Sequence, residues 1–432
     1  MLSGSSVVDI TPERKLLLGG GMFGKATGTN DRLTATAFCF EENGRRVMLL
    51  SCDLIGFTNC LADSIRDDIA KATGVSRDAV LLSATHTHSG PVTLDLRHWG
   101  ASDPSYVRFL RDRLVRVARN AAARMAPARL RWSSRPCPGI GVNRTSYGVA
   151  VDDTLTILRV EDPEGKRLLG MVVNHGCHPV TMHGTRLYSA DFPGVLRGEV
   201  SRAAGRKIPV IFLLGAAGDI NPRGFAADLS GRVTPALLRS RRALCRKVGC
   251  ELARRALAAP TGEGDNRLEW RSLEVSLPLL PYPDGNARRA LRKAALADIA
   301  RYRNDPAKAW PLAEALVMRD WLADATAGGA KSLTLGIQAL RIGHMRIVAM
   351  PAELFAAHAM ELRRKAGRAP LMIGTMCNGY NGYVTVDASI ERQTYEAAGV
   401  PRLLGRQAYA KGVGRRMVTG AARAIRRLYA AS

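Results

Sequence analysis

Six short apolar runs, each ending in a cluster of Gly, Asn, Asp, His or Pro, limit this chain to very few architectures. Residues 46–52 lead into Asp53, residues 80–84 into His86 and His88, and residues 168–173 into Asn174 and His175. Residues 209–214 lead into Gly215 and Asp219, residues 346–350 into Pro351 and Glu353, and residues 371–374 into Cys377 and Asn378. Runs this apolar suit strands covered on both faces. Between them lie Ala- and Arg-rich helical patterns over residues 106–125, 194–204, 235–258, 286–303, 312–325, 355–365 and 407–428. Strands alternating with helices read as an α/β fold, with mixed β-sheets layered with helices. Polar residues gathered at strand carboxyl ends predict one shared cleft there. The softest boundary is 259–266. The expected organisation is one domain, 1–432, with a helix-rich insertion at about 264–330.

Composition excludes several classes. Hydrophobic residues at 46% and charged residues at 23% are those of a globular chain. No run of 18 apolar residues marks a membrane span, and residues 1–9 lack the pattern of a signal peptide. The eight cysteines form no Cys-x-x-Cys pair, which suits reduced thiols. Together these predict a cytoplasmic protein. The net charge of +25 sits largely on helical Arg, which reads as solvated faces; peripheral contact with an anionic membrane is the alternative. No zinc finger, RNA-binding aromatic motif or helix-turn-helix accompanies the charge, so no specific nucleic-acid partner is expected. The 407–428 pattern reads as a docked amphipathic helix.

The candidate chemistry sits at the strand ends. His86 and His88, two apart on extended backbone, would present both rings to one face, as metal ligands or as strand caps. A second group holds His175, His178 and His183. His178, fixed before Pro179, is the best ligand candidate, while the other two suit turns. Asp191 reads as the cap of the helix that follows, or as a carboxylate orienting a histidine. In 215–222, small residues let a substrate or another strand approach, and their amides could serve an anionic oxygen; a P-loop ending is missing. Glu353, leaving a buried strand, needs a partner, either a cap or salt bridge or a metal.

These pieces, in order, resemble the neutral/alkaline non-lysosomal ceramidases. The likeness rests on Asp9-Ile10-Thr11-Pro12, Gly19-Gly20-Gly21-Met22, Arg32-Leu33, Ala37-Phe38, Thr85-His86-Thr87-His88-Ser89-Gly90-Pro91 and Asn143-Arg144-Thr145. It continues through His178-Pro179 with Met182, Ser189-Ala190-Asp191, Gly218-Asp219-Ile220-Asn221-Pro222, Pro351-Ala352-Glu353, Asn378 with Tyr383, and Tyr395-Glu396. The resemblance implies a zinc-dependent amidase that splits the N-acyl bond of ceramide or a related lipid. It implies Zn2+ held by His86, His178, Glu353 and Tyr383 in the cleft at the strand carboxyl ends. His88 would assist at the reacting centre, and Arg144 and Tyr395 would lie near the scissile amide. Asp219 and Asn221 would bind substrate. Glu353 as general base is the alternative to Glu353 as ligand.

Two features depart from the family. Asn221 stands where the family has a serine discussed as nucleophile. An amide is not an acyl acceptor, so attack by metal-activated water is the mechanism expected here. A further C-terminal β-sandwich and a secretion signal are also missing from the pattern. Two rival readings therefore remain at this stage: a zinc hydrolase of a soluble amide, ester or phosphate, and a non-enzymatic basic protein binding membrane or polyanion through a degenerate cleft.

Overall fold

A computed structural model describes residues 1–20, 24–145, 150–228, 232–305, 308–325 and 329–428. Gly21 and Met22 of the glycine-rich motif lie outside the described residues. Three sheets of mixed direction carry the fold. The first has five strands, in spatial order Val80–Ala84, Arg45–Cys52, Thr34–Glu42, Leu2–Asp9 and Ala126–Pro127. The second runs Val210–Leu214, Leu168–His175, Thr154–Glu161, Arg129–Pro136. The third runs Leu268–Pro278, Ser332–Ile342, Met345–Ala349, Leu371–Gly374. Each sheet contains one parallel pair at an edge: Arg45–Cys52 with Val80–Ala84, Leu168–His175 with Val210–Leu214, and Met345–Ala349 with Leu371–Gly374.

Those parallel edges meet one another. The Ser51 hydroxyl donates to the Phe212 carbonyl at 2.8 Å. The Asn174 amide donates to the carbonyls of Leu213 at 2.8 Å and Ile373 at 2.9 Å, and accepts from the Ile373 N–H at 3.1 Å. Buried polar groups need such partners, and here they bind the second and third sheets edge to edge. The strands Val80–Ala84, Val210–Leu214, Met345–Ala349 and Leu371–Gly374 are buried along their whole length. Their carboxyl ends open into the same region, as the apolar runs predict.

Most of the expected helices form: Pro104–Ala123, Asp191–Ala203, Pro235–Ala258, Gly285–Tyr302, Ala309–Asp324 and Ala356–Ala366. The last helix is shorter than its pattern, Val413–Arg427. It buries Met417, Val418, Ala421 and Ile425 against the third sheet and leaves Arg415, Arg416, Arg423, Arg426 and Arg427 exposed. That is a docked amphipathic helix. Among the described residues, no helix is long and apolar enough to cross a membrane.

Two elements differ from expectation. Asn59–Thr73 is a helix, capped by the Thr58 hydroxyl and ended at Gly74 with φ of +71°. Within 264–330, Leu268–Pro278 is a strand paired over its full length with Ser332–Ile342. The helices of that stretch are Gly285–Tyr302 and Ala309–Asp324, which pack on each other.

Candidate metal centre and adjoining cleft

The strand Val80–Ala84 stops before the histidines. His86 has a left-handed φ of +68°, so the extended backbone expected across His86 and His88 is broken there. Such a conformation is costly outside glycine and persists only where the surroundings impose it. The His86 N–H donates to the Leu54 carbonyl at 2.9 Å, and Nδ1 lies 2.6 Å from the Ile55 carbonyl. The rings of His86 and His88 still meet, edge to face with centroids 5.0 Å apart. Their convergence comes from the turn rather than from strand periodicity.

His178 arrives from the second sheet. Its N–H donates to the Ile220 carbonyl at 3.0 Å, and its Nδ1 lies 2.5 Å from the Ala217 carbonyl. A carbonyl oxygen only accepts, so Nδ1 carries the proton in both His86 and His178. In the neutral imidazole the other ring nitrogen, Nε2, is then the lone pair. Burial agrees, lowering the His178 imidazole to about 4.

Glu353 arrives from the third sheet, on the two-residue strand Glu353–Leu354 paired with Tyr383–Val384. Its Oε2 lies 3.1 Å from His178 Nε2 and 3.4 Å from His86 Nε2. The Tyr380 hydroxyl donates to Oε1 at 2.8 Å, leaving Oε2 as the oxygen that faces the imidazoles. Glu353 Oε2 and His178 Nε2 are buried, with no hydrogen-bond partner. Two imidazole lone pairs directed at a carboxylate oxygen repel it unless a proton or a metal cation lies among them. Nitrogen and oxygen donors in this number suit zinc. Ring nitrogens of His86, His88 and His178 also lie within 4.8 Å of one another. His88 Nε2 is buried without a partner as well, and burial followed by the imidazoles of His86, His183 and His178 depresses the His88 pKa well below its ordinary value.

Tyr383 stands beside this group, and its hydroxyl accepts from the Arg144 guanidinium at 3.3 Å. Arg144 also donates to the Gly218 carbonyl at 2.9 Å and pairs with Glu396 at 3.1 Å. A cleft of about 300 Å³ joins these residues to an apolar wall that includes Leu94, Leu96, Trp99, Trp310 and Leu403. His86, His88, Arg144, Asn221, Glu353, Tyr383 and Tyr395 all line it.

Residues 3–198 match the family described as neutral/alkaline non-lysosomal ceramidase, N-terminal. The match covers the N-terminal part of the chain, under half of its length. A neutral ceramidase of Pseudomonas aeruginosa is 26% identical over 438 residues, 86% of this chain and 64% of that protein. A neutral ceramidase of Mycobacterium tuberculosis is 24% identical over 482 residues, 94% of this chain and 74% of that protein. The chain thus spans less than two thirds of the Pseudomonas relative's length. The crystal structure of neutral ceramidase from P. aeruginosa shares the fold: TM-score 0.72 at 20% identity, over 99% of this chain and 75% of that one.

Other expected residues separate into cleft and scaffold. The Asn221 side-chain oxygen is buried without a hydrogen-bond partner in the cleft wall. Asp219 lies beneath the cleft. Its two carboxylate oxygens accept from the Ala356 N–H at 2.8 Å and the Asn143 amide at 2.7 Å, so it is engaged with the chain itself. The small residues of 215–218 serve close approach of other backbone: the Gly218 N–H donates to the Leu354 carbonyl at 3.0 Å, and that of Gly215 to His175 at 2.9 Å. Asp191 neither caps its helix from outside nor touches a histidine. It opens the helix at φ of +59° and accepts from Thr181 Oγ1 and from the N–H groups of Met182 and Phe192. His175 bonds to the Thr154 carbonyl, and His183 to that of Gly20. Gly20 is required by closeness, since a Cβ there would lie 2.4 Å from the Cβ of His88.

Sequence reasoning gave no role to Tyr380, Trp99 or Trp310. Tyr380 carried a signal, three residues before Tyr383 in the same loop. The two tryptophans carried none, because they reach the cleft from segments far apart in the chain.

Proposed function

We propose that this protein is a zinc-dependent hydrolase of N-acyl amides, with ceramide or a related N-acyl lipid as substrate. The observation that carries the reading is the pair of Nδ1-anchored imidazoles directed at one unpartnered oxygen of Glu353. His86, His178 and Glu353 hold the metal, with Tyr383 as fourth ligand. When bound, zinc supplies a Lewis acid that polarises a carbonyl and acidifies water.

The remaining steps belong to side chains. The substrate amide lies in the cleft with its carbonyl towards Arg144 and Tyr395, whose N–H and O–H donors stabilise the oxygen as negative charge develops on it. Water adds to the carbonyl carbon. His88, held neutral by burial, accepts a proton and returns it to the amide nitrogen. The C–N bond then breaks, releasing an amine and a fatty acid. Asn221 hydrogen-bonds the substrate through its free acceptor, and Asp219 positions Asn143 and the start of the helix Ala356–Ala366. The apolar wall of Leu94, Leu96 and Leu403 favours a lipid over a small polar amide.

Metal analysis with a short-chain ceramide assay tests this. Wild-type protein should retain zinc after loading and dialysis. His86→Ala and Glu353→Ala should lose it, with activity lowered more than about a hundredfold. Equal and negligible zinc in all three proteins would sink the reading.

A further inference from the structure

A second cavity, of about 450 Å³, lies behind the cleft, between the helices Gly285–Tyr302 and Ala309–Asp324 and the segment 395–403. Its inner wall is apolar, with Leu291, Ala295, Val317, Met318 and Leu403. Of the charged groups of the lining, Asp298 and Glu314 sit on exposed positions, and Arg402 is half-buried with its guanidinium over the Trp321 ring. Trp99, Tyr395 and Leu403 line both this chamber and the cleft. The Trp99 and Tyr395 rings stack at 16° with centroids 6.5 Å apart, forming a shared partition. Tyr395 is 44% exposed.

Of the two helices that wall the chamber, Ala309–Asp324 buries Ala313, Ala315, Val317, Trp321 and Leu322, whereas its partner has little core of its own. Gly285–Tyr302 buries only Ala295, and Leu296 is 48% exposed. An apolar occupant of the chamber would supply packing that the helix Gly285–Tyr302 lacks. We propose that the chamber seats the far end of the substrate's hydrocarbon arm, which passes Tyr395 from the cleft, and that the helical pair sets the length of arm accepted. The inference rests on the amidase reading and adds the source of its chain-length preference. Each methylene moved out of water is worth about fourfold in affinity, so blocking the chamber has a large effect on long arms.

The test compares N-palmitoyl and N-acetyl derivatives of one amine on zinc-loaded protein. Ala294→Phe introduces a ring from an exposed chamber position. It should lower the palmitoyl-to-acetyl ratio of kcat/KM at least about tenfold. Met318→Ala should shift the preference towards longer chains. Ala297→Phe, on the same helix and outside the chamber lining, should leave the ratio unaltered. Binding of cis-parinarate to metal-free protein gives a readout apart from turnover, and Ala294→Phe should weaken it about tenfold. An unchanged ratio in an active Ala294→Phe protein overturns the inference while the amidase reading stands. If neither amide is turned over, the amidase reading fails, and unchanged parinarate binding in Ala294→Phe then removes the chamber as well.

Discussion

The strand Val80–Ala84 buries all five of its residues, whereas the helix Gly285–Tyr302 buries one of eighteen. The strand leads into the cleft through His86 and His88, while the helix lines the chamber behind it, so the contrast separates two duties. The turns after the strands hold the His86 and His178 rings by the carbonyls of Ile55 and Ala217, and the Tyr380 hydroxyl holds the Glu353 carboxylate. The helical pair bounds an apolar space, where tolerance of different occupants matters more than position. Low local stability concentrates in elements that admit ligands.

The contrast should appear most strongly in Leu82→Ala. Leu82 is fully buried, and its truncation should cost about 2–5 kcal/mol by denaturant unfolding. A loss under 1 kcal/mol would break the claim that this edge is rigid.

Next comes a pH effect in the same rigid half. Burial raises the Asp191 carboxyl to about 6, above its ordinary value near 4 in the unfolded chain. The folded state therefore holds this proton more tightly. The contribution favours folding at low pH, falls as pH climbs from about 4 to about 6, and is constant above. The whole swing is about 3 kcal/mol. Urea midpoints of wild type and Asp191→Asn across that range should diverge by this slope; parallel curves would refute it.

Smaller still is Tyr380→Phe, which deletes the hydroxyl on Glu353 Oε1 and keeps the ring. Zinc affinity, read by chelator competition, should drop about 10- to 100-fold with little change in melting temperature. Smallest is Leu296→Ala, at 48% exposure, expected within about 0.5 kcal/mol of wild type. A cost above 1 kcal/mol would show that the helix is covered in solution and would sharpen the search for what covers it.

Much of the cleft was legible in the sequence because buried strands are almost purely apolar, so the polar cluster just after each run marks its open end. His86, His178 and Glu353 stand out this way. What failed to show was anything set by long-range geometry. The left-handed turn at His86 depends on the carbonyls of Leu54 and Ile55. The engagement of Asp219 depends on Ala356, far along the chain. The helix Asn59–Thr73 was masked by charge: Asp63, Asp67, Asp68 and Lys71 surround a narrow stripe of Ala62, Ile65 and Ile69. Its Thr58 and Gly74 caps were the readable signal. The strand Leu268–Pro278 alternates apolar residues with Glu269, Arg271 and Glu274, a two-residue period hidden among helical neighbours.

His86, His178 and Glu353 belong to chain segments leaving three different sheets, and each is pinned to backbone on its own side. A cation shared by the three would act as a rivet through the whole fold. Its binding free energy would then add to folding stability, about 4 kcal/mol at a thousand times Kd. Stripping it would loosen all three sheets together, so the melting temperature would follow the concentration of free metal.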